Sequence, residues 1–130
     1  MKILITGGAG FIGSALVRQI ISTTEHVVCN IDSLTYAGSL ETLHKFAHSP
    51  RYKFIQADIT KIKILEKIFQ DFMPDAVVHL AAETHVDRSV SDPEIFISTN
   101  IIGTYNLLEV SRAYWSTLHP VQKEKFRFQH

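Results

Sequence analysis

Along this chain, short aliphatic and β-branched runs alternate with longer stretches in which apolar residues return every three or four positions. Lys2 to Thr6 is the first such run, and it stops at glycine, as a strand buried on both faces does. From Phe11 to Ile21 the spacing turns helical, placing Phe11 or Ile12, Ala15, Leu16, Gln19 and Ile20 on one face. Val27 to Ile31 predicts a second strand, Ser33 to Gly38 a loop, Leu40 to Phe46 a short helix, and Tyr52 to Ile55 a third strand. After Ala57-Asp58, the residues Ile62, Leu65, Ile68, Phe69 and Phe72 share a helical face that Met73-Pro74-Asp75 ends. Ala76 to Leu80 is again near-continuously apolar and predicts a fourth strand. Asp92 and Pro93 read as the N-cap and first residue of a helix reaching about Tyr114. Leu118 to Lys125 reads as a polar connector, and Phe126 opens another extended segment.

Strand and helix in alternation predict an α/β fold, a Rossmann-type doubly wound parallel sheet with helices on both faces, truncated after about five strands. A length of 130 residues fits one such domain, 1–130, with one core and no second domain. Thirteen basic and thirteen acidic residues cancel without long runs, which leaves no footprint for nucleic acid or an anionic membrane. The histidines are scattered and Cys29 is the only cysteine, so neither a zinc site nor a disulfide framework is expected. Cys29, in the apolar run from His26, reads as a buried small hydrophobe. Lys2 and Ile3-Leu4-Ile5 imitate the start of a secretory signal, but Thr6-Gly7-Gly8 breaks the run well short of a usual apolar core, so a cytoplasmic location is expected. No stretch is long and apolar enough to span a bilayer.

The strongest chemical signal is Gly7-Gly8-Ala9-Gly10-Phe11-Ile12-Gly13, a Gly-x-x-Gly-x-x-Gly spacing between a strand and a helix. Gly7 suits the tight turn, Gly10 a close backbone approach to a pyrophosphate, and Gly13 close packing of helix on strand. The helix start adds free N–H groups and a positive dipole end. Glycine triplets alone also fit a turn with no ligand. Here Asp32 stands at the end of the second strand, about twenty residues on, where a carboxylate accepts hydrogen bonds from adenosine ribose hydroxyls. Dinucleotide binding is therefore expected. A 2′-phosphate held ~4 Å from that carboxylate would be repelled by roughly 4 kcal/mol at an effective dielectric near 20, so NAD is expected in preference to NADP. Asp58 reads either as a cap for the following helix or as a contact to the adenine amino group. Small residues in Leu80-Ala81-Ala82-Glu83-Thr84 suit a backbone lying against a cofactor where the strand order reverses. The polar run Glu83 to Ser89 follows; it reads as a solvated loop or as recognition of sugar and phosphate through Thr84, His85, Ser89 and Arg88. His79, inside an apolar strand, reads as a hydrogen-bonded core histidine.

The stretch Thr6 to Gly13 with Leu80-Ala81-Ala82 resembles the extended short-chain dehydrogenase/reductases that modify nucleotide sugars. Asp32-Ser33-Leu34-Thr35-Tyr36-Ala37-Gly38, His79 to Ser89 and Thr99-Asn100-Ile101-Ile102-Gly103-Thr104 resemble the dTDP-glucose 4,6-dehydratase family within them, over its N-terminal portion only. Ser39 departs from the asparagine usual in that family after Tyr-Ala-Gly. The resemblance implies cofactor contacts at Phe11, Ile12, Asp32, Ser33, Leu34, Thr35, Asp58, Ile59, Leu80, Ala81, Ala82, Glu83, Thr84 and Thr99. It implies substrate contacts at Thr84, His85, Val86 and Arg88. It further implies a lyase of deoxysugar and rhamnose biosynthesis, with dTDP-glucose as the nucleotide-sugar substrate and a homodimer as the full-length assembly. NAD serves there as a transient hydride store: a lysine-assisted tyrosine takes the C4 hydroxyl proton, a Glu and Asp pair eliminates water, and the hydride returns to C6. The family's Thr-Asp-Glu and Tyr-x-x-x-Lys would fall after His130, so no catalytic residue is assigned and this length alone is expected to be inactive. Two other readings are an NAD-dependent nucleotide-sugar epimerase or decarboxylase, and a non-catalytic NAD-binding remnant.

Overall fold

The computed structural model describes residues 1–130, except for the side chains of residues 86–88. Five parallel strands form one sheet in the order β3-β2-β1-β4-β5: β1 Lys2–Thr6, β2 Val27–Asp32, β3 Tyr52–Gln56, β4 Ala76–His79 and β5 Arg127–Gln129. The expected Ile3-Leu4-Ile5 run is thus the central strand, paired on both sides, with Leu4 and Ile5 fully buried. A strand enclosed by neighbours and by helices on both faces has no solvent side on which to place polar residues, which is why β1 and β4 show no alternation.

Helix α1, Phe11–Thr23, lies on one face, where Val17 and Ile21 join Ile3, Ile5, Val28 and Leu43 in an apolar cluster. Helix α2, Ile62–Phe72, and the long helical run after β4 cover the other, closing on Leu4, Cys29, Ile31 and Val77. The expected face of α2 is the one buried: Leu65, Ile68 and Phe69 point inward, with Ile62 and Phe72 at its margins. Met73 ends the helix in the left-handed region, at φ 52°. Cys29 is fully buried, and burial pushes its thiol up to about 11, the signature of a packing residue rather than a reactive one.

Three expectations need correction. The face of α1 is rotated: Ala15 and Gln19 are exposed, and Gly13, Ser14, Val17 and Ile21 are buried instead. The helix after Asp92 is not uniform. A short α3, Val86–Ser91, precedes α4, Pro93–Phe96, which leads through a π-helical segment, Ile97–Gly103, into α5, Thr104–Thr117. Asp92 occupies the cap position, but its side chain makes no capping hydrogen bond. Finally, the connector from Leu118 contains α6, Pro120–Lys125, started by Pro120 and by the His119 amide donating to Gln122 Oε1 at 3.3 Å.

His79 is the buried, hydrogen-bonded core residue expected, set between Thr6 and Thr104. Burial, assisted by the nearby His130 ring, lowers its pKa from 6.5 to about 4. Between those values the unfolded chain holds a proton that the native chain excludes, so stability falls as pH drops through that window. At about 1.4 kcal/mol per unit the total loss is roughly 3 kcal/mol. Denaturation midpoints measured from pH 7 to pH 4 should therefore decline, and His79→Gln, which does not titrate there, should flatten the decline.

Candidate functional site

At the carboxyl ends of β1 and β4, where the chain reverses its direction of winding, a solvent-open cleft of about 220 Å³ lies over the sheet. Its floor is the turn after β1. Gly7 has φ +74°, and a side chain there would meet the backbone of Leu80 and Ala81 at 2.5 to 2.6 Å. Gly13 has no room for one either, because its Cβ would collide with the backbone of Gly7 and Gly8. That requirement sets the rotation of α1. With Gly13 turned under the glycine turn, Val17 and Ile21 follow on the buried face, and Phe11 and Ile12 are left 95% and 68% exposed at the helix start. The first turn of α1 contains no acidic residue and no side-chain cap, so its amides have no competing partner from that turn.

Asp32 closes one end of the cleft. Its Oδ2 accepts the Ala9 N–H and its Oδ1 the Leu34 N–H, both at 2.9 Å, so one carboxylate ties the glycine turn to the loop beyond β2. Leu34 sits at φ 55°, a conformation costly for a branched side chain, and the bond to Asp32 holds it there. Asp58 Oδ1 accepts the Thr60 N–H at 2.8 Å, and the cap position of α2 belongs to Lys61, so Asp58 shapes the loop before the helix rather than capping it.

The opposite wall is the backbone after β4. Asn100, in the π-helical segment, accepts the Glu83 N–H at 2.8 Å and donates to the Glu83 carbonyl at 2.9 Å. Asn106 donates to the Thr60 carbonyl at 3.0 Å. The helical run thereby grips the loops after β3 and β4 together. Across the mouth, the Tyr36 hydroxyl reaches Glu83 Oε2 at 3.5 Å, and its ring meets His85 edge-on with centroids 6.0 Å apart.

A family model for GDP-mannose 4,6-dehydratase matches residues 4–130. The chain belongs to that family. It is 60% identical over all 130 residues to the dTDP-glucose 4,6-dehydratase of Salmonella typhimurium, of which it spans 36%. Its structure resembles the dTDP-glucose 4,6-dehydratase of Streptomyces venezuelae crystallised with NAD, with a TM-score of 0.81 and 40% identity over 88% of this chain and 36% of that one. UDP-glucose 4-epimerase of Thermotoga maritima gives 0.78 and 39% over 88% of this chain and 35% of the epimerase.

Within this family chain, most sequence-predicted site residues meet at the cleft: Gly7, Gly10, Asp32, Ser33, Thr35, Asp58, Ile59, Leu80, Ala81, Ala82, Glu83 and Thr99 all line it. Phe11 and Ile12 stand at the helix start, Gly13 beneath the turn, and Leu34 in the loop held by Asp32. Thr84 and His85 are exposed just past the lining. Val86 and Arg88 fall in α3, and their side chains lie outside what is described. Ile31, Ala37, Gly38, Ala57, Thr60, Ile95 and Ser98 line the cleft as well and were not expected. Ile95 and Ser98 follow from the helical spacing of Thr99, had the helix been placed against the cleft. Among the described residues no helix is long and apolar enough to cross a membrane.

Removing the two Asn100 bonds leaves both backbone groups of Glu83 without their partner. Asn100→Ala should cost about 1–3 kcal/mol in urea denaturation. The Glu83 amide should lose hydrogen-exchange protection ahead of the sheet.

Proposed function

We propose that residues 1–130 are the NAD-binding Rossmann domain of a dTDP-glucose 4,6-dehydratase, a lyase converting dTDP-glucose to dTDP-4-keto-6-deoxyglucose and water. The observation that carries the reading is the cleft between the glycine turn and the Leu80 to Glu83 wall, closed at one end by the Asp32 carboxylate. The residues present fit a dinucleotide. Gly10 lines the cleft with bare backbone beside the first turn of α1, which has no side-chain cap, and a pyrophosphate there would be held by N–H groups and the helix dipole. Each Asp32 oxygen accepts one backbone N–H and retains a lone pair for a ribose hydroxyl. Asp58, Ile59 and Ala57 form the side against which an adenine ring lies.

Bound NAD supplies a hydride acceptor and, later in the same cycle, a hydride donor. The chain's own work is to bind, orient and exclude water. Ala81 and Ala82 bring backbone close to the cofactor, Glu83 is held by Asn100, and Thr84 with His85 stands at the mouth through which a nucleotide sugar enters. Val86 and Arg88 are proposed substrate contacts on sequence grounds alone. Proton-transfer groups are proposed to come from the rest of a longer enzyme. No tyrosine here has a lysine four residues later to assist it.

Structural likeness to dehydratase and epimerase is nearly equal, at 40% and 39% identity, so the choice between them rests on the 60% identity to the Salmonella typhimurium dehydratase. A homodimer of the full-length enzyme is supported by an exposed apolar stripe on the long helical run, Ile97, Ile101, Tyr105 and Leu108. Leu108→Glu should then shift the full-length assembly to monomer in light scattering. A cytoplasmic location is supported by the absorption of the Ile3-Leu4-Ile5 run into the centre of the sheet.

NAD should bind more tightly than NADP by calorimetry, and Asp32→Ala should narrow the gap; equal affinities would sink the reading of Asp32. A polypeptide of these 130 residues, loaded with NAD, should give no 4-keto product from dTDP-glucose by mass spectrometry. General acid and base groups each contribute about 10² to 10⁴ in rate, and these are the groups assigned elsewhere.

A further inference from the structure

Thr6 and His79 are register partners at the ends of β1 and β4, beneath the cleft, and both are buried. Thr6 Oγ1 lies 2.7 Å from His79 Nδ1, His79 Nε2 lies 2.9 Å from Thr104 Oγ1, and the Ala81 N–H donates to Thr6 Oγ1 at 3.4 Å. These four groups form one chain from the glycine turn to the start of α5. The rest of β4 is Ala76-Val77-Val78, and an apolar side chain at 79 would fill the same space without the desolvation that a buried imidazole suffers.

A neutral imidazole carries one proton, and the two tautomers differ in what they satisfy. With the proton on Nδ1, Thr6 Oγ1 accepts from both the ring and Ala81, and its own O–H is left to find another acceptor in a buried place. With the proton on Nε2, Thr6 donates to Nδ1 and accepts from Ala81, while Thr104 Oγ1 accepts from Nε2–H and keeps its own proton for the preceding turn of helix.

We propose that His79 is a positioning residue of the cofactor cleft, acting as the Nε2–H tautomer to lock the cleft floor at Thr6 and the wall at Ala81 to the helical run at Thr104. The inference rests on the reading of the cleft as an NAD site. Ala81 is the backbone against which Gly7 packs, and Thr104 directly follows the segment carrying Ser98, Thr99 and Asn100. The histidine therefore fixes the cleft floor and the wall after β4 against the helical run that carries Ser98 and Thr99, without touching the cofactor.

Long-range ¹⁵N imidazole spectra of the full chain, with the His79 signals assigned by comparison with His79→Gln, report the tautomer directly. Nε2 should appear protonated and Nδ1 bare; a protonated Nδ1, or averaging of the two nitrogens, overturns the proposal. Calorimetry then reads function. Thr6→Val and Thr104→Val should each weaken NAD binding about tenfold, the scale of one hydrogen bond. The double variant should lose little more than either single one, because both break the same relay. Thr6→Ser, which keeps the hydroxyl, should bind as the unaltered chain does. Folded valine variants that bind NAD normally, or losses that simply multiply, overturn it. If the valine variants do not fold, the tautomer in the unaltered chain decides. An unaltered chain that shows the Nε2–H tautomer yet binds no NAD sinks the cofactor reading and, with it, the positioning role, while leaving the relay as a structural pin.

Discussion

The close approach of two backbones, the turn at Gly7 and the peptide between Leu80 and Ala81, is the constraint from which the rest of the site descends. Strands β1 and β4 are adjacent yet feed crossovers on opposite sides, so their carboxyl ends diverge and leave a crevice. The crevice is shallow enough to be lined by backbone only because nothing projects from Gly7 into Leu80 and Ala81, nor from Gly13 into the turn above it. Any Cβ at either position would lift the turn off the sheet and move the start of α1 with it. Asp32 and Asn100 then act as ties on a geometry already set, one fastening the turn to the loop beyond β2, the other fastening the strand end to the helical wall.

Much of this was legible in the residues. Strands β1, β2 and β4 announced themselves because enclosed parallel strands are apolar throughout, and α2 because a half-exposed helix sorts its residues by face. The cleft was legible because Gly7, Asp32 and Ala81-Ala82 mark strand ends in the order a dinucleotide fold requires. The family was legible from the stretch His79 to Ser89, and the matched residues 4–130 bear that out.

What was not legible has physical causes. The buried face of α1 is hidden from the apolar spacing because steric need at Gly13 turns the helix and leaves Phe11 and Ile12 outward against the hydrophobic pattern. The break in the helix after Pro93 is invisible in the residues because a π-helical segment leaves no signature in composition; it is set by contacts distant in sequence, such as Asn100 with Glu83. Helix α6 leaves little trace in the pattern because its residues are polar and mostly exposed, and only Pro120 with Gln122 three positions past His119 marks its start. Asp58 and Asp92 have the residue type of a cap, yet the helix starts did not use their side chains.

The π-helical segment Ile97–Gly103 also bears on how this helix can change. An ordinary helix turns about 100° per residue, so its faces are fixed once any one residue is docked. Here Ile95, Ser98 and Thr99 must look into the cleft while Leu107 and Val110 look into the core, and a wider turn between them absorbs the mismatch of phase. Loss of a single residue from the ordinary helix on either side would shorten it by only ~1.5 Å but swing one end about 100° against the other, whereas within the wide turn the same loss is taken up as the turn reverts to an ordinary one. The relation between cleft and core is thus stored as a residue count: a one-codon deletion in the ordinary helix would turn the cleft wall away with every lining side chain intact, while one in the wide turn would give up the spare residue and leave both faces docked.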